Sequence, residues 1–162
     1  MRLFARAVLA LSLLAPLPAH AIIGGKPAPA DIAAQTALIV STRGASCTGA
    51  VLTGDLLLTA AHCVEPKADY AVVVFESAGP RLIPATRLAL HPRFDPDHFR
   101  SRRPTPDLAL VKLSSPLPAS FRPARVSRDV KQTRAGETFT LAGYGVAAEG
   151  DAKSAGKLRT LA

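Results

Sequence analysis

Short blocks of apolar residues, separated by turn residues, make up most of the chain after residue 35. Blocks of this length, rich in β-branched residues and bounded by Gly, Pro, Asp and Ser, are typical of β-strands. The pattern predicts one helical turn at 61–64. It also predicts eight strands, over residues 36–41, 48–53, 55–60, 70–76, 81–90, 108–113, 138–144 and 157–162. Pro84 lies inside one of these strands, which predicts that part of it is an edge or a bulge.

Six of the predicted strands precede residue 114, at the spacing expected of an antiparallel sandwich or a small barrel. The composition agrees, with 14 Pro, 11 Gly and no Trp in 162 residues. Ser115-Pro116-Leu117-Pro118 predicts an extended linker. Only two strands are predicted after that linker. The fold class expected from the pattern is therefore all-β.

The first 21 residues have the pattern of an export signal rather than of a folded element. Arg2 and Arg6 precede the apolar run 7–14, and Ala19-His20-Ala21 supplies small residues at a cleavage site. The alternative is a membrane anchor, but Pro16 and Pro18 end the run before it could span a bilayer. We expect cleavage after Ala21 and a soluble product, either periplasmic or extracellular.

The formal net charge is +8, and it falls to +6 when Arg2 and Arg6 leave with the signal. The one basic cluster is Arg100, Arg102 and Arg103. Aromatic residues do not alternate with these arginines as they do in a nucleic-acid platform. We therefore expect a solvated loop and no nucleic-acid partner, although a general attraction to acidic surfaces stays open.

The chain has two cysteines, Cys47 and Cys63. In an exported protein the default is a disulfide, which would close a loop of about 16 residues and stabilise the fold by about 3 kcal/mol. The alternative is a metal held by both cysteines and His62. That alternative lacks a fourth ligand at a recognisable zinc spacing, so the prediction is no metal site.

Two polar residues stand beside apolar strands. His62 lies between Ala61 and Cys63, and Asp107 precedes the strand 108–113. Taken singly, each is more often structural than functional. A His followed along the chain by an Asp is also two thirds of a nucleophilic triad in one known order, His then Asp then Ser.

Four motifs in order resemble those of the trypsin-like (chymotrypsin-family) serine proteases, and the resemblance spans residues 22–162. They are Ile22-Ile23-Gly24-Gly25 at a mature N-terminus, Cys47-Thr48-Gly49-Ala50-Val51-Leu52 with Leu58-Thr59-Ala60-Ala61-His62-Cys63 around the histidine, Asp107-Leu108-Ala109-Leu110-Val111-Lys112-Leu113 around the aspartate, and Ala142-Gly143-Tyr144-Gly145 at a glycine turn with Tyr where Trp is usual.

The resemblance implies two six-stranded barrels with an active site between them. It implies that His62 is the general base and then the general acid, and that Asp107 orients His62. It implies a Cys47–Cys63 bridge beside the base. It also implies that Ile22, exposed directly by signal cleavage, is the terminus of the active form, without a propeptide.

The nucleophile of the family lies in a Gly-Asp-Ser-Gly-Gly turn, and this chain has no such sequence. The nearest string, 150–156, places two residues between Asp151 and Ser154, so we expect a surface loop and not a nucleophile. No G-x-S-x-G elbow offers another hydrolase mechanism. The nucleophilic serine is therefore expected to be absent from these 162 residues, together with the oxyanion hole.

The resulting expectation is a signal peptide (1–21), a complete first barrel (22–114), an inter-barrel linker (115–136) and the first strands of a second barrel (137–162). The function expected is that of a secreted serine endopeptidase cut short in its sequence and inactive as it stands. It would act as a monomer on protein or peptide substrates, without cofactor or metal. The alternative is a non-catalytic remnant that binds a protein partner.

Overall fold

The computed structural model describes residues 25–127, 134–148 and 151–162. Nine strands and three short helices run through these residues. The strands are β1 (Lys26–Pro27), β2 (Thr36–Ser41), β3 (Ser46–Thr53), β4 (Leu56–Thr59), β5 (Tyr70–Glu76), β6 (Gly79–Leu90), β7 (Ala109–Leu113), β8 (Leu141–Gly143) and β9 (Arg159–Leu161). The helices are α1 (Ala30–Ala34), α2 (Ala61–Val64) and α3 (His98–Ser101), and a 3₁₀ turn covers Ala152–Ser154.

Strands β2 to β7 form a closed antiparallel barrel in the order β2-β3-β4-β7-β6-β5. Closure comes from β2, which pairs with β3 on one side and with β5 on the other. A closed sheet leaves no strand edge with unpaired backbone groups. The prediction of an all-β fold built on a six-stranded barrel is confirmed.

Alternate side chains along each strand point inward and fill the interior of the barrel. In β5, Tyr70, Val72 and Val74 are buried, while the residues between them are less buried. In β7, alternate residues are buried in the same way, and Leu110 and Lys112 point outward. Because successive side chains of a strand point to opposite faces, one face of each strand supplies the core. The described core cluster lies between Ala37 and Leu117, within the barrel and the segment that follows it.

Strand β6 differs from its prediction in length and in the position of its proline. It runs without a break over Gly79–Leu90 and pairs with β5 on one side and β7 on the other, so it is not an edge. The register shifts between Ala85 and Arg87, next to Pro84. The bulge alternative is therefore correct and the edge alternative is wrong, because barrel closure gives every strand two neighbours.

The segment after β7 is hydrogen-bonded to the barrel. Leu117 is buried, and its N–H donates to the carbonyl of Gly54 at 2.7 Å. Further along, the N–H of Ala124 donates to the carbonyl of Val51 at 2.7 Å. These contacts hold residues 117–124 against the strands, an outcome that proline content alone did not predict.

A second, smaller sheet has the order β1-β9-β8. Its last two strands lie inside the predicted segments 138–144 and 157–162, but each has only three residues. Strand β1 was not predicted, because two residues ending in a proline carry no periodicity. Its Lys26 and Pro27 pair with Thr160 and Arg159, so the sheet has three strands instead of the two expected.

Candidate functional site

Strand pairing brings His62 and Asp107 together. In the β4–β7 pair, Thr59 lies opposite Ala109. His62 follows Thr59 by three residues, and Asp107 precedes Ala109 by two, so both emerge at the same end of the pair. His62 itself lies in helix α2, a single turn whose Ala61 and Val64 side chains are buried in the core.

Two hydrogen bonds connect the predicted residues. The backbone N–H of His62 donates to Oδ1 of Asp107 at 2.9 Å, and the Nδ1 atom of His62 lies 2.6 Å from Oδ2. A carboxylate can only accept hydrogen bonds, so Nδ1 carries the proton in this arrangement. In the neutral imidazole, Nε2 is then the nitrogen that carries no proton, and a general base accepts a proton at such a nitrogen.

The hydrogen bonds also act on Asp107. Partial burial of the carboxylate raises its pKa, but bonds from the backbone and the ring of His62 and from the backbone of Ala61 outweigh that effect, so the pKa of Asp107 lies below its usual value. The Asp107 side chain is 29% exposed and the His62 side chain 47% exposed. The pair therefore has an ionised carboxylate behind the ring and a solvent-accessible side for a reactant.

The predicted disulfide is confirmed. Cys47 of β3 and Cys63 of α2 are bonded, with their Cα atoms 6.1 Å apart. The bridge fastens the turn that carries His62 onto the adjacent strand. The ligand atoms of Cys47, His62 and Cys63 lie within 4.8 Å of one another. In the disulfide state the two sulfurs are bonded to each other and supply no thiolate to a metal.

Two threonines behind the site were not singled out by sequence reasoning. The Thr59 hydroxyl donates to the carbonyl of Thr48 at 2.9 Å. The Thr48 hydroxyl accepts from the N–H of Tyr144 at 3.0 Å, which joins the small sheet to the barrel one residue from Cys47. Burial raises the pKa of Tyr144. A polar side chain within an apolar strand is the only signal that the sequence offers for these contacts.

Ser154 lies at the end of the 3₁₀ turn, and its hydroxyl is bonded to the main chain. The hydroxyl donates to the carbonyl of Asp151 at 2.6 Å and accepts from the N–H of Ala147 at 2.8 Å. These contacts close a local turn.

Ile22 and the predicted signal at 1–21 lie outside the described residues, as do residues 128–133 of the predicted linker. Among the residues that the structure does describe, no helix has the length and hydrophobicity needed to cross a membrane.

Comparison with known proteins agrees with the motifs. The family model "Trypsin" matches residues 22–161. The chain is 30% identical over 164 aligned positions to a trypsin-like protease of Streptomyces glaucescens, covering 93% of this chain and 55% of that protein. It is 30% identical over 132 residues to human serine protease 56, covering 76% of this chain and 21% of that protein.

The fold is also found among solved structures. The scabies mite inactivated protease paralogue S-D1 superposes with a TM-score of 0.70 at 16% identity, over 86% of this chain and 60% of that one. The chain thus spans from a fifth to about three fifths of the length of these relatives. The family model matches residues 22–161, and the closed barrel is the fold of the similar solved structure. This chain therefore belongs to the trypsin family of serine proteases.

Proposed function

We propose that the chain supplies the general base and its orienting carboxylate to a secreted serine endopeptidase. The observation that supports this most directly is the double contact of Asp107 with His62, through the ring at 2.6 Å and through the backbone at 2.9 Å. Two contacts to one carboxylate fix both the tautomer and the orientation of the imidazole.

In the proposed reaction, Nε2 of His62 accepts the proton of a serine hydroxyl while the serine oxygen attacks the carbonyl carbon of a peptide bond. Asp107 stabilises the imidazolium through the Nδ1 hydrogen bond without taking up the proton. The imidazolium then gives its proton to the leaving amine, and a water molecule repeats the cycle on the acyl-enzyme. Histidine suits both transfers because its ordinary pKa lies near neutrality.

We place the nucleophilic serine and the oxyanion hole outside the 162 residues. Ser154 is bonded to its own turn, and no Gly-Asp-Ser-Gly-Gly sequence is present. The relatives are longer than this chain, which leaves room for such a turn in the complete enzyme. On this proposal residues 22–162 alone hydrolyse no peptide, no cofactor is needed, and the substrates are proteins or peptides.

A hydrolysis assay on a form extended by the sequence that follows codon 162 in its gene tests the proposal. The extended form should cleave casein and react with a fluorophosphonate probe specific for serine hydrolases. His62→Ala should lower kcat/KM by several orders of magnitude, because serine is a poor nucleophile without its base. His91→Ala serves as the matched control and should leave kcat/KM within about twofold. Probe labelling that survives His62→Ala at full rate would contradict the proposal.

Sequencing the N-terminus of the exported protein tests the proposed export. Cleavage after Ala21 predicts a product that starts at Ile22. A different start residue would remove the proposal that signal cleavage itself creates the active terminus.

A second candidate is a protein-binding module without catalysis. The observation in its favour is the closed six-stranded barrel, which has no open edge and its own core within the described residues. This candidate predicts a folded, soluble product of residues 22–162 that binds a partner protein, and no serine codon in a Gly-Asp-Ser-Gly-Gly context downstream of residue 162.

A further inference from the structure

Three arginines lie in one short segment that precedes Asp107 along the chain. Residues 98–106 contain Arg100, Arg102 and Arg103 and no Asp or Glu, which gives a formal charge of +3 with histidine neutral. All three arginines are exposed. We infer that they bind acidic side chains of the substrate, close to the peptide bond that is cleaved. This inference rests on the proposed function, because it names the class of protein that the proposed peptidase cleaves.

The loop that carries the arginines is fastened at its base, next to the site. The hydroxyl of Thr105 accepts a hydrogen bond from the N–H of Asp95 at 2.8 Å and donates one to the carbonyl of Arg93 at 3.1 Å. The Phe94 side chain packs against the core cluster of the barrel. Because Thr105 precedes Asp107 by only two residues, the hydrogen-bonded base of the loop is adjacent to the carboxylate of the proposed site.

The arginines lie within the span of a bound substrate. Arg103 precedes Asp107 by four residues. An extended chain advances at most about 3.6 Å per residue, so the Cα atoms of these two residues are within about 14 Å of each other. An extended peptide covers the same distance in about four residues. Acidic residues within about four positions of the cleaved bond can therefore contact the arginines.

The protein itself neutralises these charges only weakly. Arg100 faces Asp97 at 3.6 Å, but both side chains are largely exposed, so water screens the pair. No carboxylate lies within ion-pair distance of Arg102 or Arg103 in the part of the chain that the structure describes. A guanidinium group stays charged over the physiological pH range and binds a carboxylate through two parallel N–H donors. A substrate carboxylate can bind Arg102 or Arg103 without displacing an internal ion-pair partner.

The backbone at Arg102 supports the inference independently. Arg102 ends helix α3 with a φ of 53°, and among the described residues it is the only one other than glycine with a positive φ. This left-handed position at the end of a helix usually holds Gly or Asn, because other side chains are strained there. Backbone strain of this kind is concentrated at functional sites. The arginine occupies the position against the local backbone preference, which points to a role for its side chain.

Peptide binding to the full chain tests the inference without any measurement of catalysis. Two fluorescein-labelled peptides of equal length, one with four Glu residues and one with four Gln residues in their place, are titrated by fluorescence anisotropy. We expect the Glu peptide to bind at least tenfold more tightly at low salt. The difference should shrink as the ionic strength rises, because salt screens exposed charges. Equal binding of the two peptides would overturn the inference.

Two triple variants separate a local site from the net charge of the chain. The first removes the cations of the loop, by Arg100→Gln, Arg102→Gln and Arg103→Gln. The matched control removes three exposed cations elsewhere, by Arg43→Gln, Lys67→Gln and Arg87→Gln. The loop variant should bind the Glu peptide at least tenfold more weakly than the native chain, and the control less than threefold more weakly. An equal loss of affinity in both variants would mean attraction to net charge alone and would overturn the inference.

The single variant Arg102→Gly separates binding from folding. Glycine is unstrained at a positive φ, so the Tm of this variant should stay unchanged or rise. Its affinity for the Glu peptide should fall about threefold, because one of three guanidinium groups is lost. A lower Tm with unchanged peptide binding would show that Arg102 is purely structural and would overturn its assignment to the site.

The extended form of the enzyme connects binding with cleavage. Its kcat/KM should be at least tenfold higher for a peptide with Glu within four positions of the cleaved bond than for the matched Gln peptide, mainly through KM. The loop triple variant should lose this preference. Hydrolysis without a preference for Glu would remove only this inference. Binding of the Glu peptide through the loop arginines without any hydrolysis would remove only the proposed function.

Discussion

The barrel and the small sheet are built from the same kind of strand but have different means of stabilisation. Six strands of the barrel share a closed hydrogen-bond pattern and bury a continuous core. The small sheet has three strands of two or three residues, of which only Gly143 is buried. A sheet of this size stabilises itself weakly in water. The His62–Asp107 pair lies at the end of two strands of the barrel, whereas the small sheet depends on the barrel for its stability.

The largest effect should come from the core of the barrel. Leu57 is fully buried, so Leu57→Ala removes packed methyl groups and should lower the free energy of unfolding by about 2–5 kcal/mol. Leu141 of the small sheet is 57% exposed, and Leu141→Ala should change the same quantity by less than about 0.5 kcal/mol. Urea denaturation followed by circular dichroism measures both. Equal losses of the free energy of unfolding in Leu57→Ala and Leu141→Ala would contradict the difference in burial between the barrel and the small sheet.

An intermediate effect is expected at the bond between the two regions. Thr48→Val keeps the shape of the side chain but removes the acceptor for the N–H of Tyr144, at a cost of about 1 kcal/mol. Amide hydrogen exchange at residues 141–144 should become about fivefold faster, while exchange in β5 stays unchanged. Thr53→Val, which removes an exposed hydroxyl contact with Asp55, is the control. Unchanged exchange at Tyr144 would show that the small sheet is held in some other way.

The smallest effect is a pH dependence confined to the barrel site. The pKa of Asp107 is lowered in the folded chain, so the unfolded chain binds this proton more readily. Its contribution to stability is therefore present above the unfolded value, near pH 4, and is lost as the pH falls through the lower folded value. The free energy of unfolding of the native chain minus that of Asp107→Asn should shrink as the pH falls from 5 to 2.

Asp31→Asn, which removes an exposed carboxylate on α1, controls for the general loss of a negative charge. A difference between the native chain and Asp107→Asn that is constant across this pH range would show that the hydrogen bonds to His62 do not favour the ionised carboxylate.

The sequence by itself determined most of the barrel. Strands β2 and β5 and helix α2 have the predicted bounds, because strict alternation and β-branched runs are local signals. The motifs around His62 and Asp107 were sufficient to name the family, and the pattern placed His62 in a helical turn and Asp107 just before a strand. Local patterns also indicated the disulfide, since two cysteines in an exported chain have few other uses.

Tertiary structure decided the features that depend on contacts between residues far apart along the chain. Closure of the barrel decided between the two alternatives at Pro84, a bulge and an edge, in favour of the bulge. Tertiary contacts also bond the segment after β7 to Gly54 and Val51. Strand β1 exists because β9 supplies its partner, and two residues cannot encode that pairing. The 2.6 Å contact of His62 with Asp107 joins residues 45 positions apart. Sequence supplies the chemical groups, but only the β4–β7 register brings them within hydrogen-bonding distance, because register is a property of two strands and not of either one alone.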